Sequence, residues 1–283
     1  MDKPRVDELT GHETMGHDFD GIEELNTPMP RWWLITFYVT LVWGVAYTIA
    51  YPAWPMISGS TAGLLGFSTR AEVAKQIDDH ELANSELVTQ LLDVDLTSFD
   101  PQSDLHRYAV ARGGSVFRAQ CSQCHGSGAA GAVGYPNLLD NDWLWGGSLD
   151  QIAFTVRHGI RNETDGDALW SEMPAFGELL EKDEIELLAD FIPTMANADF
   201  TTEAGTLYLD NCASCHGDAG LGDRDQGAPN LTDAIWLYGG DRASLVDTIT
   251  NARFGVMPAW GQRLSEADVR SVATYVHALG GGE

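Results

Sequence analysis

Cysteine is scarce in this sequence and is confined to two short motifs. The chain has four cysteines in 283 residues, and they stand in the pentapeptides Cys121-Ser122-Gln123-Cys124-His125 and Cys212-Ala213-Ser214-Cys215-His216. No cysteine is left over to form a disulfide outside these motifs, so a disulfide-stapled scaffold is excluded.

Basic residues are also few. The sequence has 16 Lys and Arg against 42 Asp and Glu, which gives a formal net charge of −26. Nucleic acids and anionic membrane surfaces attract basic proteins, so the charge disfavours binding to either. The acidity fits electrostatic steering of a basic protein partner, and it equally fits simple solubility.

One long segment has no charged residue at all. Asp, Glu, Lys and Arg are absent from Trp32 to Thr69, and Trp32 to Tyr51 is a 20-residue apolar run. At ~1.5 Å per residue such a helix crosses a hydrocarbon core of ~30 Å. A cleaved signal peptide is the alternative, but the run is too long and the segment before it is acidic. We therefore predict an uncleaved membrane anchor over residues 32–56.

The two motifs indicate covalently bound haem. In Cys-x-x-Cys-His the two thiols form thioethers to the haem vinyl groups, and the adjacent imidazole binds the iron. A thioredoxin-like site needs a βαβ context that the sequence does not suggest. A four-cysteine zinc site is disfavoured because the pairs lie 91 residues apart and each has its own histidine. We predict two haems c, bound through these residues: Cys121, Cys124, Cys212 and Cys215, with His125 and His216 as iron ligands.

Histidine is missing from the apolar run. A haem–copper centre that reduces oxygen needs several intramembrane histidines, so this chain should carry electrons and not reduce oxygen itself. Covalent haem attachment takes place outside the bacterial cytoplasm. The haem-bearing part is therefore expected in the periplasm, with the N-terminus in the cytoplasm of a single-pass inner-membrane protein. A slight excess of basic residues before the run agrees with this orientation.

The haem-bearing part is duplicated. Three blocks recur in order: Pro136-Asn137-Leu138 with Pro229-Asn230-Leu231, Trp143-Leu144-Trp145-Gly146-Gly147 with Trp236-Leu237-Tyr238-Gly239-Gly240, and Met173-Pro174-Ala175-Phe176-Gly177 with Met257-Pro258-Ala259-Trp260-Gly261. The first two recur after 93 residues and the third after 84, so the first copy has about nine extra residues around 161–170. We interpret them as a loop insertion. Each copy ends in an amphipathic helical pattern, around Ile185 and around Val269.

Helices, haem motif, proline loop, methionine and closing helix together resemble the small class I cytochrome c fold over residues 105–280. The predicted fold is therefore mainly α, with one N-terminal transmembrane helix and two tandem class I cytochrome c domains. The predicted divisions are these: 1–31, a cytoplasmic segment; 32–56, the anchor; 57–104, a periplasmic helix over 69–92 with a linker; 105–197, the first cytochrome domain; and 198–283, the second.

Each iron needs a ligand on its other side. Candidates are Met173, Met195, His106 and His158 in the first copy, and Met257 and His277 in the second. Met173 and Met257 share the repeated Met-Pro-Ala-aromatic-Gly context, which favours them over a role as ordinary core residues. The simplest pairing joins His125 with Met173 and His216 with Met257. An exchange of the two methionines between the copies stays open.

Residues around each haem follow from the same alignment. The class I resemblance implies that the carbonyls of Pro136 and Pro229 accept the Nδ1–H of the iron-bound histidines. Arg157 and Arg253 each stand two residues before a glycine and are candidate partners of the haem propionates. Surface solvation is the alternative for either arginine.

The N-terminal part carries a more specific resemblance. It contains Gly16-His17-Asp18-Phe19-Asp20-Gly21-Ile22, Glu24-Leu25-Asn26 and Pro28-Met29-Pro30-Arg31-Trp32-Trp33, and Ala50-Tyr51-Pro52-Ala53-Trp54-Pro55 closes the apolar run. This pattern, followed by two haem domains, resembles subunit III of the cbb3-type cytochrome c oxidases, the membrane-anchored dihaem subunit.

The resemblance implies a place in a respiratory chain. Such a subunit takes electrons from a soluble or membrane cytochrome c and passes them through a monohaem subunit. They then reach the catalytic haem b–copper subunit, which reduces oxygen and pumps protons. By itself the chain would not be an enzyme. Two alternatives are a free-standing membrane-anchored electron shuttle and the cytochrome subunit of a periplasmic dehydrogenase.

Overall fold

The computed structural model describes residues 4–282, which fall into two compact units divided between Ala83 and Asn84. The first unit holds the N-terminal segment and the apolar run. The second holds both haem motifs. Each unit is described by itself.

The first unit opens with a β-hairpin that the sequence analysis did not predict. Strands β1 (Thr14–Phe19) and β2 (Ile22–Leu25) pair antiparallel, with Phe19 opposite Ile22. The turn between them is Asp20-Gly21, and both residues have positive φ, as a two-residue hairpin turn requires. A second short pair follows later in this unit, β3 (Pro55–Met56) with β4 (Gly59–Ser60).

Helix α1 (Arg31–Ala50) contains the apolar run. It has 20 residues, and none of its side chains is buried by the protein. An apolar helix with this length and this exposure fits a lipid surrounding. Among the described residues, α1 alone is long and apolar enough to cross a membrane. The predicted anchor therefore corresponds to helix α1 of the structure.

The helix predicted over residues 69–92 is divided in two. Helix α2 (Thr69–Ala83) belongs to the first unit and α3 (Ser85–Asp93) to the second, with Asn84 between them. The linker that follows contains a short 3₁₀ turn, Leu96–Ser98, in which the backbone N–H of Thr97 donates to the Asp95 carboxylate at 3.0 Å.

The second unit is built from helices, as predicted. They are α4 (Asp104–Val116), α5 (Ser122–His125), α6 (Leu149–His158), α7 (Lys182–Phe191), α8 (Glu203–Asn211), α9 (Ala213–His216), α10 (Arg242–Asn251) and α11 (Glu266–His277). Side-chain caps fix several starts: Ser103, Thr202 and Ser265 each accept a hydrogen bond from the backbone N–H three residues on.

The closing helices of the two repeats are exchanged. Helix α11, from the second repeat, packs against α4 and α6 of the first. Its Val269 and Val272 are fully buried in a core with Phe117 and Ile152. Helix α7, from the first repeat, packs instead against α8 and α10 of the second. Two cores result, the first formed by α4, α6 and α11 and the second by α7, α8 and α10, and each combines residues of both repeats.

The crossing of α4 and α11 is close and specific. Gly113 has no side chain, and a Cβ at this position would overlap the carbonyl of Ser271. An ion pair between Arg112 and Asp268, 2.9 Å, joins the same two helices. Arg270 of α11 also donates to the carbonyls of Leu91 and Val94 at 3.0 and 2.7 Å.

The predicted divisions at 105–197 and 198–283 follow the two sequence repeats, whereas each of the two cores combines residues of both repeats. The amphipathic patterns of α7 and α11 are correctly predicted, but a stripe of apolar residues does not specify which core it covers. The two stripes have equivalent spacing and similar size, so the sequence offers no signal for the exchange.

Candidate haem-attachment sites

Each motif begins at the C-terminal end of one helix and extends through a short second helix. In the first repeat α4 runs into a π-helical turn, Phe117–Cys121, and then into α5. In the second repeat α8 is followed by α9. A glycine with positive φ, Gly126 or Gly217, ends each motif. Both thiols and the imidazole of a motif therefore lie within about one helical turn.

The motif histidines are held by the predicted proline carbonyls. The Nδ1 atom of His125 lies 3.1 Å from the carbonyl oxygen of Pro136, and that of His216 lies 3.0 Å from the carbonyl oxygen of Pro229. This contact keeps the proton on Nδ1 and leaves Nε2 free to bind a metal. Burial lowers the pKa of both imidazoles, so they are neutral near pH 7, as a ligand must be.

A glycine in each loop makes this arrangement possible. Gly131 and Gly222 have φ of +67° and +78°, and a Cβ on either would crowd the backbone carbonyl just before the proline. Their N–H groups donate to the carbonyls of His125 and His216 at 2.9 and 2.8 Å. The loop is therefore folded back onto the motif, which brings the proline to the imidazole.

The first thiol of each motif is not an activated nucleophile. Burial, with a smaller contribution from the neighbouring cysteine, raises the pKa of Cys121 and of Cys212 to about 11. A thioredoxin-like cysteine has its pKa lowered instead. None of the four cysteines forms a disulfide, and all four lie in the described part of the chain. These environments count against a dithiol redox site.

The second motif lines a cavity of about 470 Å³. Cys212, Cys215 and His216 lie on its wall, which is mostly apolar and includes Trp236 and Met173. Two thiols, an imidazole with a free Nε2 and a thioether around an apolar space are the donor set that haem c uses. The residues present therefore fit a covalently bound haem.

The two methionines stand beside the motif of the other repeat. Met173 packs in the core that contains Tyr208 and Cys212, and it lines the cavity of the second motif. Met257 packs in the core that contains Phe117 and Cys121. Of the two pairings that the sequence leaves open, these positions favour the exchanged one, with Met257 beside the motif of His125 and Met173 beside the motif of His216. Each methionine precedes a closing helix, and it is carried to the other core with that helix.

The other candidate ligands lie elsewhere. Met195 is buried in the second core against Gly220. His106 stacks edge-on against Phe99, with ring centroids 5.3 Å apart. The Nδ1 atom of His158 lies 3.1 Å from the carboxylate of Asp165.

The two predicted arginines have different surroundings. Arg157 forms an ion pair with Glu266, with Nε 3.1 Å from the carboxylate. Arg253 does line the cavity of the second motif. It donates to the carbonyl of Ser244 at 2.7 Å and pairs with Asp247 at 3.1 Å. Only Arg253 of these two stands where a haem of the second motif would be.

A third arginine at the cavity was missed. Arg161 lines it as well, although it belongs to the insertion of the first repeat. Nothing in the sequence connects a loop residue of the first repeat with the second motif. The signal that could have drawn attention is a basic residue two positions after a glycine, at the start of the insertion, in an acidic chain.

The repeated aromatic residues join the two repeats reciprocally. The ring of Trp145 lies against Gly227, and the ring of Tyr238, its counterpart, lies against Gly134. Gly134 also donates to the carbonyl of Leu237 at 2.8 Å. The loop after each motif is thus in contact with the aromatic block of the other repeat.

Comparison with known proteins agrees with this architecture. Residues 11–58 match the family model described as the N-terminal domain of cytochrome oxidase-cbb3, FixP. Residues 109–192 and 200–276 match the model described as cytochrome c oxidase, cbb3-type, subunit III. The hairpin and the anchor thus belong to the first matched region, and the two haem repeats to the second.

Curated relatives resemble the chain over nearly its whole length. It is 57% identical over 276 residues to the cbb3-type cytochrome c oxidase subunit CcoP of Cereibacter sphaeroides, covering 95% of each chain. It is 46% identical over 283 residues to the subunit FixP of Azorhizobium caulinodans, covering 98% of this chain and 96% of the relative. The chain therefore belongs to the family of cbb3-type cytochrome c oxidase subunit III, a family of electron-transfer cytochromes c.

Proposed function

We propose that the chain carries two covalently bound haems c and passes electrons from a donor cytochrome c towards the catalytic subunit of a cbb3-type oxidase. The observation that carries the proposal is the pair of histidines whose Nδ1 atoms contact proline carbonyls, each with a methionine packed into the same core. This arrangement suits a six-coordinate iron with one imidazole and one thioether ligand.

The residues have separate roles. Cys121 and Cys124 attach the first haem, and Cys212 and Cys215 the second. At the first iron, His125 and Met257 are the ligands; at the second, His216 and Met173. When bound, each haem supplies a one-electron iron couple. Thioether ligation favours the reduced state and fills the sixth position, so oxygen finds no open site.

The contacts between the repeats support a relay between the two haems. The loop after the first motif, including Tyr135 and Pro136, lines the cavity of the second motif. Pro136, whose backbone carbonyl orients His125, therefore also borders the space of the other haem.

The membrane anchor and the net charge indicate the location of the chain and the kind of partner that it binds. Helix α1 fixes it in the inner membrane, with the N-terminus in the cytoplasm and the haem-bearing unit in the periplasm. Its partners are a monohaem c subunit, a catalytic haem b–copper subunit and a donor cytochrome c. The net charge of −26 favours a donor with a basic docking face. Oxygen reduction and proton pumping belong to the catalytic subunit, and this chain is not an enzyme by itself.

Purification in mild detergent tests the proposal. We expect two haems c per chain in the pyridine haemochrome spectrum, and co-isolation with a subunit that contains haem b and copper. A preparation that contains haem c alone would support the free-standing shuttle. Fewer than two haems per chain would contradict the assignment of both motifs.

A further inference from the structure

Arg161 is a half-buried cation on the wall of the second motif's cavity. Its position is fixed by two hydrogen bonds. Nε donates to the carbonyl of Gly255 at 2.7 Å, and Nη1 donates to the carbonyl of Ser171 at 2.9 Å. The guanidinium carbon also lies 5.5 Å from the centroid of the Phe254 ring. The side chain is therefore ordered by its neighbours and does not depend on solvent for its placement.

Arg161 differs from other arginines of this unit because it lacks an ion pair. Among residues 4–282, no carboxylate forms an ion pair with it, whereas Arg157, Arg253 and Arg270 each have one. Glu172 also lines the cavity and favours the charged form of Arg161, but it is exposed and forms no ion pair with it. Burial lowers the pKa of Arg161, which is the mark of a guanidinium that lacks full compensation.

A buried charge without a counter-charge is costly, so its partner should come from whatever fills the cavity. Guanidinium has five N–H groups, and the two carbonyls use only two of them. A carboxylate is the group that the remaining donors fit best, because it accepts two parallel hydrogen bonds. Haem carries two carboxylates on its propionate side chains. We propose that Arg161 binds a propionate of the haem at the second motif; this inference rests on the proposed attachment of haem there.

Arg253 is the competing residue, and its contacts assign it a different role. It lines the same cavity, but Asp247 already neutralises its charge. It also donates to Thr248, Ser244 and the carbonyl of Tyr238. These bonds tie the end of α10 to the aromatic block of the second repeat. Arg253 supports the cavity wall, and Arg161 supplies the uncompensated charge.

The insertion of the first repeat explains how Arg161 reaches the second haem. Ile160, its neighbour, exchanges two backbone hydrogen bonds of 3.0 Å with Met257. Leu169 closes the inserted loop by pairing with Gly159 and Arg161. The second repeat lacks these residues, so the first haem has no equivalent cation from such a loop. The two haems therefore differ in local charge although their ligands are alike.

The consequence is a difference in redox behaviour. A cation beside a propionate favours the reduced, less positive state of the iron. Removing it in Arg161→Gln should shift the oxidised-to-reduced ratio of the second haem, at a fixed potential, about ten-fold towards oxidised. The backbone at this position has a positive φ, and glutamine is a side chain of similar length to arginine there. Its amide group can still donate a hydrogen bond to a carbonyl. Arg161→Lys keeps the charge and should restore most of the ratio.

A redox titration of the full-length dihaem protein in detergent makes the test. Met173→His identifies the component that belongs to the second haem, and Met257→His the component of the first. We expect Arg161→Gln to lower the midpoint potential of the second component alone. Arg242→Gln, which removes an exposed cation paired with Asp190 and outside the cavity wall, is the matched control and should change neither component.

Two results would overturn the inference: both potentials could stay unchanged in Arg161→Gln, or both could fall equally. Unchanged potentials with a lower thermal unfolding midpoint would make Arg161 a structural clamp between Gly255 and Ser171. Failure of the proposed function is distinguishable, because the wild-type protein would then show no second haem c component at all.

Discussion

Met257 and Ile160 exchange two backbone hydrogen bonds, each of 3.0 Å, although they belong to different repeats. Ile160 follows α6, and Met257 precedes the closing helix α11. The bridge therefore brings the methionine of the second repeat to the first motif. In the proposed arrangement, the exchanged closing helices complete each haem site with a methionine of the other repeat.

Gly113→Ala should destabilise the protein, because its Cβ would overlap the carbonyl of Ser271 where α4 crosses α11. The strain is expected to cost about 1–3 kcal/mol, only partly offset by the better helix propensity of alanine. Thermal unfolding followed by circular dichroism checks this result. Gly128→Ala is the control, since a Cβ at Gly128 would meet nothing within 4 Å. Equal unfolding midpoints for the two variants would contradict the crossing.

Asp142 should make stability depend on pH. Burial, together with Asp233 and Asp140, raises the pKa of this carboxyl from 3.8 to about 6. The folded state then binds the proton more tightly than the unfolded state, so stability falls as pH rises from about 4 to about 6. Asp142→Asn removes this loss and should stabilise the protein by about 1–2 kcal/mol at pH 7.

The same substitution should have little effect at about pH 3, where the carboxyl is mostly protonated in both states. Unfolding in denaturant at the two pH values makes the comparison. Asp150→Asn, at an exposed position in the first turn of α6, is the control. A stabilisation that is equal at both pH values would show that the carboxyl of Asp142 is not the cause.

Some features of the fold and of the candidate sites could be predicted from the sequence, and others could not. The Cys-x-x-Cys-His motifs and the two methionines were found from spacing and repetition, because those signals lie within one stretch of chain. The proline contacts were implied by the resemblance to the class I cytochrome c fold. The anchor was found from composition alone. The hairpin at Thr14–Leu25 was missed because its strands have too few apolar residues to show alternation.

The exchange of the closing helices could not be predicted. Ile185 and Leu188 in α7 match Val269 and Val272 in α11, so either helix presents a suitable apolar face to either core. The choice is made by chain connections and by close contacts such as Gly113 with Ser271. Arg161 was missed for the same reason, since its role depends on residues of the other repeat.

Electron uptake from a basic donor cytochrome c should slow as ionic strength rises. The chain carries a net charge of −26, and salt screens attraction over about 10 Å at 0.1 M. Stopped-flow reduction at increasing salt measures the second-order rate constant, which should fall about ten-fold or more between low and high salt. A small uncharged reductant is the control. A rate constant with the donor that is insensitive to salt would exclude steering.

The most direct test of the account asks which methionine binds which iron. In a variant with Cys121→Ala and Cys124→Ala, only the haem of the second motif is retained, and its methionine-to-iron charge-transfer band can be measured alone. We predict that Met173→Ala in this background abolishes the band and that Met257→Ala leaves it unchanged. Loss of the band with Met257→Ala, and its survival with Met173→Ala, would contradict the exchanged arrangement.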